Sequence, residues 1–405
     1  MATLAATASF AQSSVTLYGN IDQSVFRAGA DKGWMLSSNS NGGSTSLWGI
    51  TGSEDLGGGT KASFDLKSEL TLATGQTGSG STGLAPTDKN GNADNKGSSA
   101  EVFNRGAWVG IANNDLGDFK IGRQNDAWWE TGTKFNNTGI NSFGWANATA
   151  GVSGTAATHL QALSGGTAAP TGLGSGGIVT GGGGAGTTTN NYSYRGTGMA
   201  FYGGISYATP VISGFQFKVG NGVPKAGYTV HTENNNLRTY SLNYSNGPLT
   251  AAWATTNTNF NNETGIKNTL IGVKYVAGPY TFTAAQNQTR LGDTVLDSAT
   301  GANVAAGKAH NADVRAFGVG YALNAKWNLD VGYTTISDKI DTANKFTQTG
   351  VTAKYAFSKR TTWYVGYGKG KNEGQSNYGI VYAGGDAPDA GKSNSAIITG
   401  LKHAF

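Results

Sequence analysis

Lys61-Ala62-Ser63-Phe64-Asp65-Leu66-Lys67-Ser68-Glu69-Leu70 alternates in polarity along its length. In an extended chain Ala62, Phe64, Leu66 and Leu70 share one face, and Lys61, Asp65, Lys67 and Glu69 share the other. This is a strand with one apolar and one watery side. The same period runs through Val15–Val25, where Val15, Leu17, Ile21 and Val25 oppose Thr16, Tyr18, Asn20 and Asp22. It returns where Ile271, Val273 and Tyr275 oppose Lys274, and where Trp363, Val365 and Tyr367 oppose Thr362 and Tyr364.

Alternation alone also fits a soluble sandwich, whose apolar face turns inward. The connections separate the two. Sixteen strands are predicted, at 14–28, 44–54, 60–72, 101–114, 118–124, 196–209, 215–221, 237–244, 249–258, 267–276, 280–289, 311–322, 327–336, 346–356, 361–369 and 394–405. Short links such as Asp55–Gly59, Asp115–Gly117, Ala277–Pro279 and Phe357–Arg360 take turns with long ones such as Thr74–Ser99, Asn125–Arg195, Arg290–His310 and Gly370–Ser393. Outer-membrane barrels have short periplasmic turns and long extracellular loops, whereas a sandwich has no reason to keep that rhythm. The fold read from the sequence is therefore all-β, a 16-stranded antiparallel transmembrane β-barrel. An even strand count puts both ends on the periplasmic side, and sixteen strands leave an aqueous lumen.

Composition agrees with this reading. Among 405 residues there are 64 Gly, 7 Pro and no Cys, with 13 % charged residues and a formal net charge of +5. Soluble domains carry about 25 % charged residues, yet the mean hydropathy of −0.31 is not that of an oily chain. A protein showing lipid one face and water the other fits both values. The positive charge is not gathered into the stripe expected of a nucleic-acid binder, and without Cys there is no disulfide framework or thiolate metal site. The long stretch Phe135–Tyr194 has no Asp, Glu, Lys or Arg, but its Gly, Ser, Thr, Asn and Ala cannot insert as a helix. A spanning chain without helices must close its hydrogen bonds in a barrel. No linker or charged boundary divides the chain, so residues 12–405 are expected to form one unit.

Both ends carry export signals. Ser9-Phe10-Ala11 resembles a small-x-small cleavage site, so residues 1–11 are read as the tail of a signal peptide. The last strand, Ile397-Ile398-Thr399-Gly400-Leu401-Lys402-His403-Ala404-Phe405, alternates to a terminal aromatic, and Phe405 is expected to act as an assembly signal.

With these segments in place the chain resembles the Gram-negative porins of β-proteobacteria over nearly its whole length. The likeness is carried by Ser14–Asp22, Gly52–Gly59, Phe103–Gly110, Ile121–Gln124 and Lys402–Phe405, in the family's order and on the strands expected of them. It implies an outer-membrane homotrimer of water-filled barrels, in contact with membrane lipids and lipopolysaccharide and inserted by the assembly machinery. It also implies a third long loop, here 125–190, folded into the lumen as a constriction. The first part of that loop, Asn125–Phe135, is rich in aromatic and charged residues, whereas nine Gly lie between Gly172 and Gly186 and cannot bury enough to order themselves.

The resemblance further implies an eyelet, a basic wall facing loop acids across a narrow aqueous gap. Arg105 and Arg123 match the wall, and Asp126 and Glu130 are the candidate acids. Strict alternation gives Arg105 the face of Val109 and Ile111, so either those two face the lumen lower down or a bulge intervenes; the former is preferred, because Trp108 then faces lipid or a subunit. The second strand departs from the family. Relatives read Ser-Arg-x-Gly-x-Arg-or-Lys-Gly, whereas this chain has Ser46-Leu47-Trp48-Gly49-Ile50-Thr51-Gly52. Leu47 and Thr51 thus stand at two basic positions, and Asn20 stands where some relatives have Lys. With Asp22 these four are expected to line the lumen. Alternation adds Lys61, Lys67, Lys218, Lys274, Lys354 and Lys402, against Asp22, Asp65 and Glu69. A modest positive excess follows, and with it only a weak preference for anions.

Other chemistry finds no support. Gly391-Lys392-Ser393 imitates the end of a phosphate-binding loop, but the earlier glycine position is Asp386 and a strand follows. His159, His231, His310 and His403 are scattered without metal-ligand spacing. Neither an enzyme, a cofactor nor a metal is expected. A substrate-selective channel is the second reading, suggested by the missing basic residues and by Trp128, Trp129 and Trp145 near the loop. A structural or adhesive barrel with a plugged lumen is the third.

Overall fold

The computed structural model describes residues 14–29, 33–37, 42–77, 102–145, 201–223, 237–260, 263–291, 294–296, 303–305, 311–339, 342–374, 376, 378–380 and 388–405. The signal tail at 1–11 and the Gly-rich part of the third loop fall outside them. Sixteen strands make the wall: β1 (Ser14–Ala28), β2 (Leu47–Gly57), β3 (Thr60–Thr71), β4 (Gly106–Asn113), β5 (Gly117–Asn125), β6 (Phe201–Ala208), β7 (Phe215–Gly222), β8 (Leu237–Asn246), β9 (Leu249–Phe260), β10 (Glu263–Ala277), β11 (Tyr280–Leu291), β12 (Asn311–Ala322), β13 (Trp327–Asp338), β14 (Lys345–Ala356), β15 (Thr361–Glu373) and β16 (Asn394–Ala404). Every neighbouring pair is antiparallel. The sheet closes where β1 pairs with β2 on one side and β16 on the other.

The short turns are built from local chemistry. In Asn246-Gly247-Pro248-Leu249 and Ala277-Gly278-Pro279-Tyr280 the glycines take φ of 54° and 57°. The following proline holds φ near about −65°. Glycine first and proline second is a two-residue turn of the II′ kind, whose twist matches that of the strands it joins.

Two strand ends differ from the sequence reading for the same reason. The second strand starts at Leu47 instead of residue 44, because β1 side chains hold the preceding residues off the sheet. Asp22 accepts from Ser44 N (3.0 Å), Asn20 donates to Thr45 O (2.8 Å), and Ser46 Oγ accepts from Asp22 N (2.8 Å). The fourth strand starts at Gly106 instead of residue 101, because Asn104 leaves the ladder to accept from Glu69 N at 2.9 Å.

Alternation is strict over most of the wall. Large apolar residues such as Leu17, Ile121, Ile271, Phe317 and Val351 are exposed on the outside, as a lipid-facing wall requires. Their neighbours turn inward, and the buried core lies inside the barrel against the segment that follows β5.

Candidate functional site

After β5 the chain turns into the barrel and runs as an arm over residues 126–145. Asp126 caps the helix α1 (Ala127–Gly132), its Oδ1 accepting from Trp129 N at 2.7 Å, and a 3-10 turn follows at Thr133–Phe135. The arm is fixed to inward-facing side chains. Ala127 N donates to Thr239 Oγ1 (2.9 Å), Thr256 Oγ1 to Asp126 Oδ2 (2.8 Å), and Trp128 Nε1 to Asn287 Oδ1 (2.7 Å). Trp128, Phe135 and Trp145 are buried among Ala254, Leu270, Ala316, Ile336 and Phe346 of the wall. Each large side chain so buried contributes about 1.5–3 kcal/mol, enough to order a segment that has no strand partner.

Glycines make the seat for the tip of the arm. Gly318, Gly332, Gly350 and Gly368 are successive cross-strand partners on β12 to β15. A Cβ on Gly318 or Gly332 would run into Asn137, and one on Gly350 or Gly368 into Phe143. The tip is then pinned by hydrogen bonds from Asn137 Nδ2 to Phe317 O (2.9 Å) and from Thr352 Oγ1 to Thr138 O (2.6 Å). It also meets the first long link, where Asn141 N donates to Gly43 O (3.0 Å) and Ser142 N to Gly42 O (3.2 Å).

The expected eyelet residues are divided by this arrangement. Arg105 is 7 % exposed and Glu69 1 %, and the Arg105 guanidinium is joined to the Glu69 carboxylate through Nη2 and through Nε at 2.7 Å. Val109 and Ile111 do not share the face of Arg105. They are 60 % and 52 % exposed on the outer wall, and Trp108 points inward beneath the Lys120 ammonium, 4.4 Å from its ring centre. This corrects the face assigned to Trp108. Arg105 precedes the first residue of β4, so the strand's alternation does not bind it.

Arg123 donates from Nε to Asn104 O at 2.8 Å. The residue before it, Gly122, has φ 128°, and the ladder keeps its register on both sides of it. Asp126, expected to face the pore, is 1 % exposed and serves as the helix cap. Burial pushes its carboxyl up to about 7. Glu130 stands clear and pairs with Lys218 at 2.6 Å. Leu47 and Thr51 lie opposite Glu69 and Asp65 on the inward side of β2 and β3. Asp22 is buried and accepts from Tyr364 Oη at 2.7 Å, and Asn20 is held against the first long link.

Among the described residues, a local excess of positive charge lies under the arm. Lys134, on the 3-10 turn, donates to Asn243 Oδ1 at 2.6 Å. Burial holds its ammonium below the usual lysine range. Glu130 pulls it back up, and Lys274 and Lys218 push it down. Lys218 and Lys134 thus both feel the Glu130 carboxylate, and the Lys274 ammonium is close enough to repel Lys134. Other inner-wall cations stand beside acids, as Lys67 with Asp65 (3.3 Å), Lys120 with Asp118 (2.8 Å) and Lys354 with Asp330 (2.9 Å).

A family model described as Gram-negative porin matches residues 1–375. The chain belongs to that family. This porin therefore has its place in the outer membrane, and its fold is one of channel proteins. It is 47 % identical over 75 residues to outer membrane porin protein 32 of Delftia acidovorans, a match that spans 17 % of this chain and 21 % of the relative. Over the whole barrel it is similar to the anion-selective porin from Comamonas acidovorans, with a TM-score of 0.65 and 21 % identity, covering 97 % of this chain and 100 % of that one. The trimer form of OmpT of Vibrio cholerae follows with a TM-score of 0.60 and 13 % identity, covering 97 % and 99 %.

Two features of this porin escaped the sequence reading. The four seat glycines show only as scattered Gly until the register sets them side by side. Lys134 had no partner in view, because Asn243 is 109 positions away in the chain.

Proposed function

We propose that this porin is a water-filled channel for passive diffusion of ions and small hydrophilic solutes, narrowed by the arm at 126–145 and weakly preferring anions. The observation that carries the preference is the group of Lys134, Lys218 and Lys274 around Glu130. Fixed charges in a narrow aqueous passage select among ions according to their net sign. Arg105 contributes less than a free arginine would, since Glu69 accompanies it. On the opposite wall Leu47 and Thr51 supply no charge. Arg123 and Glu130 remain in the proposed constriction, and Asp126 supports it from behind.

The porin is read as a channel without enzymatic activity or cofactor, assembled as a homotrimer among outer-membrane lipids and lipopolysaccharide. Phe405 is read as its assembly signal. Gly19 N donates to Phe405 O (3.2 Å) and Phe405 N to Gly19 O (3.0 Å), so the last residue completes the seam with β1. A solute-selective channel is less well supported, because Trp128 and Trp145 are spent on holding the arm. Single-channel recording in a planar bilayer tests the proposal. Open channels with a reversal potential slightly towards chloride are expected. Absence of conductance would favour a plugged barrel, and saturable block by one solute would favour a selective channel.

A further inference from the structure

Charged residues stand directly opposite each other on neighbouring described strands at four places. Three match opposite signs, Lys61 with Asp55, Asp22 with Lys402, and Lys345 with Glu373. The fourth sets Lys267 of β10 against Arg290 of β11. Like charges directly opposite are destabilising, so a wall that otherwise obeys charge matching breaks the rule once.

The break occurs on the outer face. Asn268 and Leu270 are buried inward and Ile271 is exposed, so Lys267 points out. Asn287 faces the arm and Phe282 is exposed, so Arg290 points out as well. The row continues sideways: Lys267 lies opposite Asn257 of β9, and Asn257 opposite Arg238 of β8. All three basic side chains are exposed. The row crosses three strand spacings, about 14 Å. Asp313, on the neighbouring strand β12, is held by Lys339 at 3.1 Å and Arg315 at 3.8 Å, so it does not neutralise the row.

Height gives the row a meaning. The short-turn end of β11 carries Tyr280 and Phe282, stacked at 6.2 Å in the manner of an interfacial aromatic belt. Arg290 comes ten residues later, which at about 3.3 Å per residue and a tilt of about 40° is a rise of about 25 Å. That is the height of the apolar band of such barrels, about 25 Å. The three cations therefore stand at the far edge of the lipid-facing band, on the rim from which the long links leave.

We propose that Arg238, Lys267 and Arg290 form an outward-facing site for the phosphate groups of an outer-leaflet glycolipid. A phosphate offers several oxygens to Arg and Lys together. Placed between Lys267 and Arg290, it turns their repulsion into a bridge. The site opens on the lipid side of the wall, so the phosphate arrives on a lipid headgroup and not through the lumen. The inference rests on the reading of this wall as lipid-facing.

The test uses the full-length porin in detergent, with a bis-phosphorylated glucosamine-disaccharide lipid, its dephosphorylated form and inorganic phosphate, followed by native mass spectrometry and thermal unfolding. Wild type should hold the phosphorylated lipid about ten-fold more tightly than the dephosphorylated one, the gain of roughly one charge-assisted contact. Lys267→Gln with Arg290→Gln should erase that preference, and Arg290→Lys should keep most of it. Without phosphorylated lipid, Arg290→Gln should unfold a few degrees higher than wild type, and the order should reverse when the lipid is added. Equal binding of the two lipids by wild type, or an undiminished preference in the double variant, overturns the proposal. Protection by inorganic phosphate equal to that by the lipid marks a free-anion site instead, and self-association lost in the double variant marks a contact between copies. Conductance of the same preparations is read separately and should not change, so a failed pore reading is not confused with a failed lipid site.

Discussion

The two halves of the inner wall follow one alternation and use it differently. On β2 to β5 the inward residues include Lys61, Lys67, Asp118 and Lys120, which meet water, and Asp65 and Glu69, which are buried beside cations. On β9 to β14 they include Lys274, Asp330 and Lys354 but also Ala252, Ala254, Leu270, Ala316, Ile336 and Phe346, an apolar set that is buried and dry. In both halves the outer face is apolar below the rim of the long links. The arm makes the difference, since it covers the second half and gives apolar side chains there something to pack against. In such a barrel, polarity marks which part of the lumen is open, and it does not by itself mark inside from outside.

The largest effect should come from upsetting the wet half. Arg105→Ala strands the Glu69 carboxylate, which is 1 % exposed, without its partner. Loss of one member of a buried pair costs about 3–5 kcal/mol. The folded barrel should melt lower, and the reversal potential should move towards cations. Adding Glu69→Gln should restore much of the stability. An unchanged melting point would mean that the pair contributes nothing.

The dry half is broken by filling the seat. Gly350→Leu or Gly368→Leu drives a side chain into Phe143. Overpacking of this kind costs about 1–3 kcal/mol, charged against the arm and not against the ladder of β14 and β15. The barrel should still form while the unit conductance rises. An unchanged conductance would show that the tip does not limit the passage.

A smaller change sharpens the contrast without breaking it. Leu47→Arg together with Thr51→Arg places guanidinium groups opposite Glu69 and Asp65. The reversal potential in a salt gradient should shift towards chloride, and less so as salt rises, since the Debye length is about 8 Å at physiological ionic strength and falls beyond it. No shift would take Leu47 and Thr51 out of the constriction.

The smallest effect concerns the hinge between the halves. Burial raises the Asp126 carboxyl to about 7, above its unfolded value near 3.9. A raised acid binds its proton more tightly in the folded state, so no burial cost is felt below about pH 4, and the cost grows as pH rises to about 7. The arm should be steadier at pH 5 than at pH 8, seen as fewer brief closures in single-channel records, and Asp126→Asn should flatten that dependence. Closures equally frequent at both pH values in wild type would rule out this titration.

Legibility in the sequence follows the range of the interactions. The strands were readable because side-chain direction repeats every two residues, and the turns because Gly and Pro act locally in Gly247-Pro248 and Gly278-Pro279. Arg105 was recognisable from its motif, but its partner Glu69 lies 36 positions earlier, so its charge looked free. Asp126 had the composition of a pore acid, and only the fold shows Thr256 and the helix N-terminus claiming its two oxygens. Trp108 and Arg105 both turn inward because Arg105 precedes the strand that begins at Gly106 and is free of its alternation.

From the sequence alone came the strand count, the alternation of links, the apolar outer face and the family. These rest on local periodicity and turn chemistry, which need no knowledge of distant neighbours. Only the tertiary structure decided which inward residues stay wet, how four glycines on successive strands become one seat, and where two cations are forced face to face. Those features depend on register, and register brings together residues that the chain itself keeps dozens of positions apart.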